Sequence, residues 1–223
     1  MLFRSTVFQL RTFIAVLLSY EIIGWIIVFL YDKKDIHLYF NQLYAPVLDI
    51  FFRFYTYIGD GRTVAIIGAL FLLKRMKDGL LIILGTSLSG LITQFFKRNV
   101  FNDHYRPSRF FESFPEIKLH FVEGVDLHCC YSFPSGHTTG AFAVFTAISL
   151  IYPNKKLQWL WITLAILVGY SRIYLSQHHF EDTLAGAFIG TAFTILIFIL
   201  LNRKDKAWLN RSLLSLFQKK RAV

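Results

Sequence analysis

Eight residues of this chain have types and spacings that could act together: Lys97, Arg106, Ser135, Gly136, His137, Arg172, His178 and Asp182. The chemistry they suit is phosphoryl transfer. A phosphate ester is anionic and resists nucleophilic attack, and fixed cations lower that barrier by stabilising the equatorial oxygens of the transition state. Lys97, Arg106 and Arg172 would supply the cations. Ser135-Gly136 opens an apolar run, where a helix start offers free backbone N–H groups and a positive dipole end to a phosphate. Glycine lets the backbone approach closely. His178 and Asp182 are four residues apart and share one helix face. The carboxylate can accept from one ring nitrogen and leave the other as an oriented nucleophile. His137 is then free to protonate the leaving oxygen and later to activate water.

Each element alone has a plainer reading. A Lys or Arg at a membrane boundary is usually an anchor, Ser-Gly before an apolar helix is commonly a cap, and His with Asp four later is commonly a surface pair. Their joint occurrence, in order and on one face, is what anchoring does not explain. Other residues carry less. Cys129 and Cys130 are adjacent, so no disulfide framework is implied. His128 beside them has no second ligand pair at metal spacing, which favours a loop segment over a zinc site. Glu21 lies inside an apolar block, where a carboxylate is either functional or neutral and hydrogen-bonded. His179 reads as a loop histidine, and His104 and Arg109 flank the first cluster within reach of a head group.

The elements that must position these groups are membrane helices. Hydrophobic residues make up 55% of the 223 and mean hydropathy is +0.47, with the apolar residues gathered in blocks. A spanning helix needs roughly 20 of them. Thr12–Tyr31 is one block, too long for a signal-peptide core and read as a retained first helix. Residues 46–58 suggest an interfacial amphipathic helix. Thr63–Leu73 is a weak second span of only eleven residues, which must begin earlier, tilt or thin the bilayer. Gly79–Phe96, Thr138–Tyr152, Leu157–Tyr174 and Thr183–Leu201 complete six spans, with a long polar loop over residues 97–137. Trp208, Leu209, Leu213, Leu214, Leu216 and Phe217 give the basic tail an interfacial face. The expected fold is an all-α, six-helix transmembrane bundle in one domain over residues 1–223, its tail at 203–223.

Net charge is +10. The Lys and Arg lie between and beyond apolar blocks, as membrane flanks do, and no nucleic-acid-reading motif accompanies them. Six spans put both termini on one side. That side carries fourteen Lys and Arg against two acidic residues, Asp78 and Asp205; the other carries ten against eleven. The positive-inside rule places both termini in the cytoplasm. The three chemical clusters then face outward.

The clusters resemble the three-part signature of the type-2 phosphatidic acid phosphatase superfamily, which includes bacterial membrane lipid phosphatases and vanadium-dependent haloperoxidases. Pro134-Ser135-Gly136-His137 matches the central motif. Ser171-Arg172, five residues, His178, three residues and Asp182 match the third. The first departs: six residues usually separate Lys from Arg-Pro, but eight separate Lys97 from Arg106, and Arg98 would leave seven. The resemblance implies that Lys97, Arg106, Ser135, Gly136 and Arg172 bind phosphate and that His178 forms a phosphohistidine. It further implies His137 as general acid, Asp182 as orienter of His178, and no metal or other cofactor. The implied substrate is a lipid phosphate in a bacterial cytoplasmic membrane: phosphatidic acid or phosphatidylglycerol phosphate, with a polyprenyl diphosphate or lipid A as alternatives. Six apolar spans disfavour a haloperoxidase, and the two histidines with Asp182 disfavour a mere lipid binder.

Overall fold

The computed structural model describes residues 2–203 and 206–218. Lys204, Asp205 and residues 219–223, part of the basic tail, lie outside the described residues, as do the side chains of Arg4, Leu216 and Phe217. The chain is all-helical, with no strand among the described residues. Its helices are α1 (Leu2–Gln9), α2 (Arg11–Leu30), α3 (Lys33–Asn41), α4 (Pro46–Tyr55), α5 (Gly61–Lys74) and α6 (Met76–Asn99). The short α7 (Pro107–Phe110), α8 (Gly136–Ile151), α9 (Lys155–Tyr174), α10 (Phe180–Asn202) and α11 (Leu213–Gln218) follow.

Three helices, α2, α6 and α10, are long and apolar enough to cross a membrane. Each turns large apolar side chains outward, such as Ile22 and Phe29, Leu91 and Phe95, and Phe188 and Leu200. Water would not tolerate such a surface, whereas hydrocarbon does. The helix α4, with the 3-10 turn Thr56–Gly59 that continues it, and α5 are together long and apolar enough for a further crossing, but they meet at a bend of 55°. The break falls at Asp60, whose backbone is extended and whose carboxylate accepts the Arg62 N–H at 2.8 Å to cap α5. The expected interfacial helix and weak second span are thus two arms of one bend. The helix α9 has the length, but Gln158 and Arg172 interrupt its apolar run.

The sixteen-residue α8 is short because it is central. Twelve of its residues are buried, and α6, α9 and α10 pack around it. Phe142, Val144 and Ala147 on α8 meet Phe13 and Leu17 from α2, Ile162 and Val168 from α9, and Ala187 from α10 in one core. Contact between α8 and α10 is backbone to backbone. A Cβ on Gly190 would lie 2.4 Å from the Thr139 carbonyl oxygen, and one on Gly186 would lie 2.7 Å from that of Ser135. Two glycines one turn apart let the helices touch, as small residues do in membrane bundles.

Candidate active site

All eight residues singled out in the sequence lie at one end of this bundle. Ser135 caps α8, its hydroxyl accepting from the Thr138 N–H at 3.4 Å and from the Thr138 hydroxyl at 2.9 Å. Its own N–H donates to the Asp182 carbonyl at 2.9 Å, which ties the start of α8 to the first turn of α10. Beside it, a Cβ on Gly136 would meet nothing within 4 Å, so the helix N-terminus borders open space.

His178 and Asp182 are both buried to about 99%. The His178 Nδ1 lies 3.1 Å from Asp182 Oδ2. The same carboxylate oxygen accepts the His179 N–H at 3.0 Å and the Ser132 hydroxyl at 2.5 Å. These donors fix the orientation of the buried carboxylate. Burial keeps the His178 imidazole neutral, well below its ordinary range, and the charges of Lys97, Arg106 and Arg172 push the same way. With its Nδ1–H directed to Asp182, the ring has Nε2 as its unprotonated nitrogen.

The cations are held by carbonyls and neutral side chains, so their charge is not cancelled. Lys97, in the last turn of α6, donates to the Tyr131 carbonyl at 2.8 Å. Arg98 is exposed while Lys97 is buried, so the longer spacing to Arg106 brings Lys97 to the cluster. Arg106 Nε donates to the Cys130 carbonyl at 3.0 Å, and its Nη1 to the Gln177 backbone carbonyl at 3.3 Å and to Gln177 Oε1 at 3.2 Å. Arg172 donates to the Thr56 hydroxyl at 2.6 Å and to Gln177 Oε1 at 3.4 Å. Its buried Nε has no hydrogen-bond partner among the described residues. A donor desolvated and unpaired is costly, and an anion there would satisfy it.

Two cavities flank the cluster. One of about 690 Å³ is lined by Gln94, Lys97, Arg98, Arg106 and Tyr131. The other, of about 380 Å³, is lined by Thr56, Asp60, Asp126, His137, Arg172 and Gln177. His128 lines both. His137 therefore opens to one side of the cluster, away from the end of α6.

Sequence reasoning missed several residues of this site. Ser132, Gln177, Thr56 and Asp60 have no diagnostic spacing, since they meet partners that lie far off in the chain: Asp182, Arg106, Arg172 and His137. Cys129 and Cys130 are bonded to each other, a link between neighbours that joins no other segment. The less certain residues lie outside the cluster. His179 packs between the rings of His37 and Phe110. Arg109 is ion-paired with Glu112, and His104 with Asp103 at 3.1 Å. Glu21 is buried on α2 and accepts from Trp25 Nε1 at 3.0 Å.

Residues 78–206 match the family profile of the PAP2 superfamily. The lipid A 4'-phosphatase of Porphyromonas gingivalis is 30% identical over 170 residues, covering 71% of this chain and 68% of that protein. The undecaprenyl-diphosphatase BcrC of Bacillus subtilis is 36% identical over 67 residues, 30% of this chain; the chain spans only 34% of that relative's length. Among solved structures, the crystal structure of LpxE from Aquifex aeolicus superposes with a TM-score of 0.64 at 25% identity, covering 74% of this chain and 93% of that one. The long apolar helices α6 and α10 fall within the matched region, and the protein is an integral membrane protein. With residues 78–206 of 223 matched and its three motif clusters gathered at one end of the bundle, the chain belongs to the PAP2 superfamily.

Proposed function

We propose that the protein is a membrane lipid phosphatase that hydrolyses a phosphate monoester of a phospholipid, of phosphatidic acid or phosphatidylglycerol phosphate type. The observation that carries this reading is the buried His178–Asp182 pair set among Lys97, Arg106 and Arg172, none of which is ion-paired among the described residues. His178 Nε2 attacks phosphorus, the P–O bond to the lipid breaks, and His137 gives its proton to the leaving oxygen. Water, deprotonated by His137, then attacks the phosphohistidine and phosphate departs. The three cations, with the Ser135-Gly136 end of α8, hold the phosphate oxygens throughout. Metal is not required, because the cations supply the charge.

In this reading the unit is one domain over residues 1–223 with six crossings: α2, the α4–α5 bend, α6, α8, α9 and α10. A sixteen-residue α8 suffices because protein rather than lipid surrounds it. Both termini, with the basic tail at 203–223, lie in the cytoplasm, and the site faces outward at head-group depth. The lipid tail stays in hydrocarbon, since each methylene withdrawn costs about 0.8 kcal/mol, and the substrate enters laterally between helices.

The relatives acting on lipid A and on undecaprenyl diphosphate support a second reading, in which the phosphate sits on one of those lipids. The deciding experiment is phosphate release by purified protein, in excess EDTA, from phosphatidic acid, phosphatidylglycerol phosphate, polyprenyl diphosphate and lipid A. Preference for either phospholipid supports the first reading, and preference for one of the other two supports the second. No release from any lipid, or release only on adding Mg²⁺, overturns the mechanism.

A further inference from the structure

The phosphate cluster contains a second histidine–carboxylate pair. His137 Nε2 lies 3.9 Å from Asp60 Oδ2, and both residues line the 380 Å³ cavity. The other charged groups acting on the ring, Arg172, Arg106 and Lys97, are cations. A general acid must carry its proton when the ester bond breaks, and burial of the ring, with the cations on that side, opposes the imidazolium. Among the described residues, Asp60 supplies the carboxylate that faces His137, and the two form an ion pair when the ring is protonated.

The backbone fixes this pairing. A Cβ on Gly59 would lie 2.2 Å from the His137 carbonyl oxygen. The turn before Asp60 is therefore pressed directly onto the first turn of α8. Asp60 Oδ1 accepts the Arg62 N–H at the start of α5, which orients the side chain with Oδ2 towards the imidazole. The two arms of the α4–α5 bend thus converge on a carboxylate aimed at His137.

Building on the lipid phosphatase reading, we propose that Asp60 is a positioning residue for the general acid: its carboxylate holds the His137 ring and stabilises the protonated form that donates to the leaving oxygen. The proton passes from His137 to the ester oxygen as the P–O bond breaks and the N–P bond to His178 forms. It returns to His137 from the water that breaks the N–P bond. Asp60 itself exchanges no proton. The site then holds two pairs with opposite tasks. Asp182 fixes His178 as a neutral nucleophile, and Asp60 supports His137 as a charged acid.

The test uses Asp60→Asn, because asparagine caps a helix as well as aspartate does and only the charge is removed. Two long-chain substrates of matched length are compared in mixed micelles: an alkyl phosphate, whose leaving group needs a proton, and an aryl phosphate, whose leaving group needs little help. General acid–base catalysis contributes roughly 10²- to 10⁴-fold. Asp60→Asn is expected to lower kcat by about 10-fold or more on the alkyl ester and by less than about 3-fold on the aryl ester, with KM little changed. In a His137→Ala background, Asp60→Asn should add no further loss on the alkyl ester. Asp60→Ser, which also caps without charge, should behave as Asp60→Asn and serves where that variant fails to fold. Equal losses on both esters, an undiminished alkyl rate, or a full further loss in the His137→Ala background would overturn the role of Asp60. A wild-type protein inert towards both esters would overturn the phosphatase reading itself, and this inference with it.

Discussion

Gln177 offers a sharp test of how the two arginines are held. It is about 98% buried. Its Oε1 receives Arg106 at 3.2 Å and Arg172 at 3.4 Å, while its Nε2 donates to the Asp126 carbonyl at 3.0 Å. It presents one neutral oxygen where two guanidinium groups converge, the place a phosphate oxygen would take. Gln177→Glu keeps the shape and makes that oxygen anionic. At these separations and an effective dielectric of about 20, each new charge pair is worth about 5 kcal/mol before desolvation. Burying the carboxylate cancels much of that gain. A surplus of only about 1.4 kcal/mol against the incoming phosphate still raises KM about tenfold. Gln177→Glu is therefore expected to raise KM for the lipid phosphate, and to weaken vanadate inhibition, by about tenfold or more. Gln177→Leu removes three hydrogen bonds, each worth about 0.5–1.5 kcal/mol net. It should lower the melting temperature of the empty protein more than that of the vanadate-bound protein, where the anion supplies the missing acceptor. The assays are phosphate release against mole fraction of lipid phosphate in mixed micelles, and thermal melting with and without vanadate. KM and vanadate inhibition within about twofold of wild type for Gln177→Glu would refute the argument that this oxygen stands in the place of phosphate.

His178→Ala should abolish phosphate release from a folded, monodisperse protein, and Asp182→Asn should reduce it by orders of magnitude; near-wild-type turnover in either removes that residue from its role. Acidification should destabilise the fold. His37 is held at about 4 by burial, and His178 and His179 are pushed well below the ordinary histidine range by burial first. The unfolded chain takes up these protons below about pH 6.5 and the native protein does not, so the stability is fully present above that value and is lost as pH falls towards 4. For His37 alone the loss is about 3 kcal/mol. A melting temperature that does not fall between pH 7.5 and 5, or a slope unaltered in His37→Gln, contradicts this. For sidedness, a cysteine placed in the 110–125 loop, in a background lacking Cys129 and Cys130, should react with an impermeant thiol reagent in intact spheroplasts. Labelling only after lysis would invert the topology.

The chemistry was more legible in the sequence than the scaffold that serves it. Ser135, His137, Arg172, His178 and Asp182 stand out because the motifs that carry them set fixed residue types at fixed local spacing. Ser132 and Gln177 do not, because a serine 50 residues from its carboxylate and a glutamine 71 residues from its arginine follow no local period. Hydropathy found the lipid-facing helices α2, α6 and α10 and counted α8 with them, but could not show that the short α8 is enclosed by protein. Nor does any periodicity reveal the capped break at Asp60 that joins α4 and α5, expected as an interfacial helix and a weak span, in one bent pair. Gly186 and Gly190 look like ordinary small residues of an apolar helix. Only the contact with the Ser135 and Thr139 carbonyls makes them necessary.

The segment 128–132 hangs over the cluster by a row of bonds to its own carbonyls: Ser108 to His128, Arg106 to Cys130 and Lys97 to Tyr131. The two cations proposed to hold phosphate thus also hold this strap in place. If the strap lifts to admit a lipid or release phosphate, those bonds must break, and Lys97 and Arg106 are then free to turn to a new acceptor. Passage through this part of the molecule and redistribution of its positive charge become a single event. An anion arriving at the cluster would compete for the same donors that hold the segment in place.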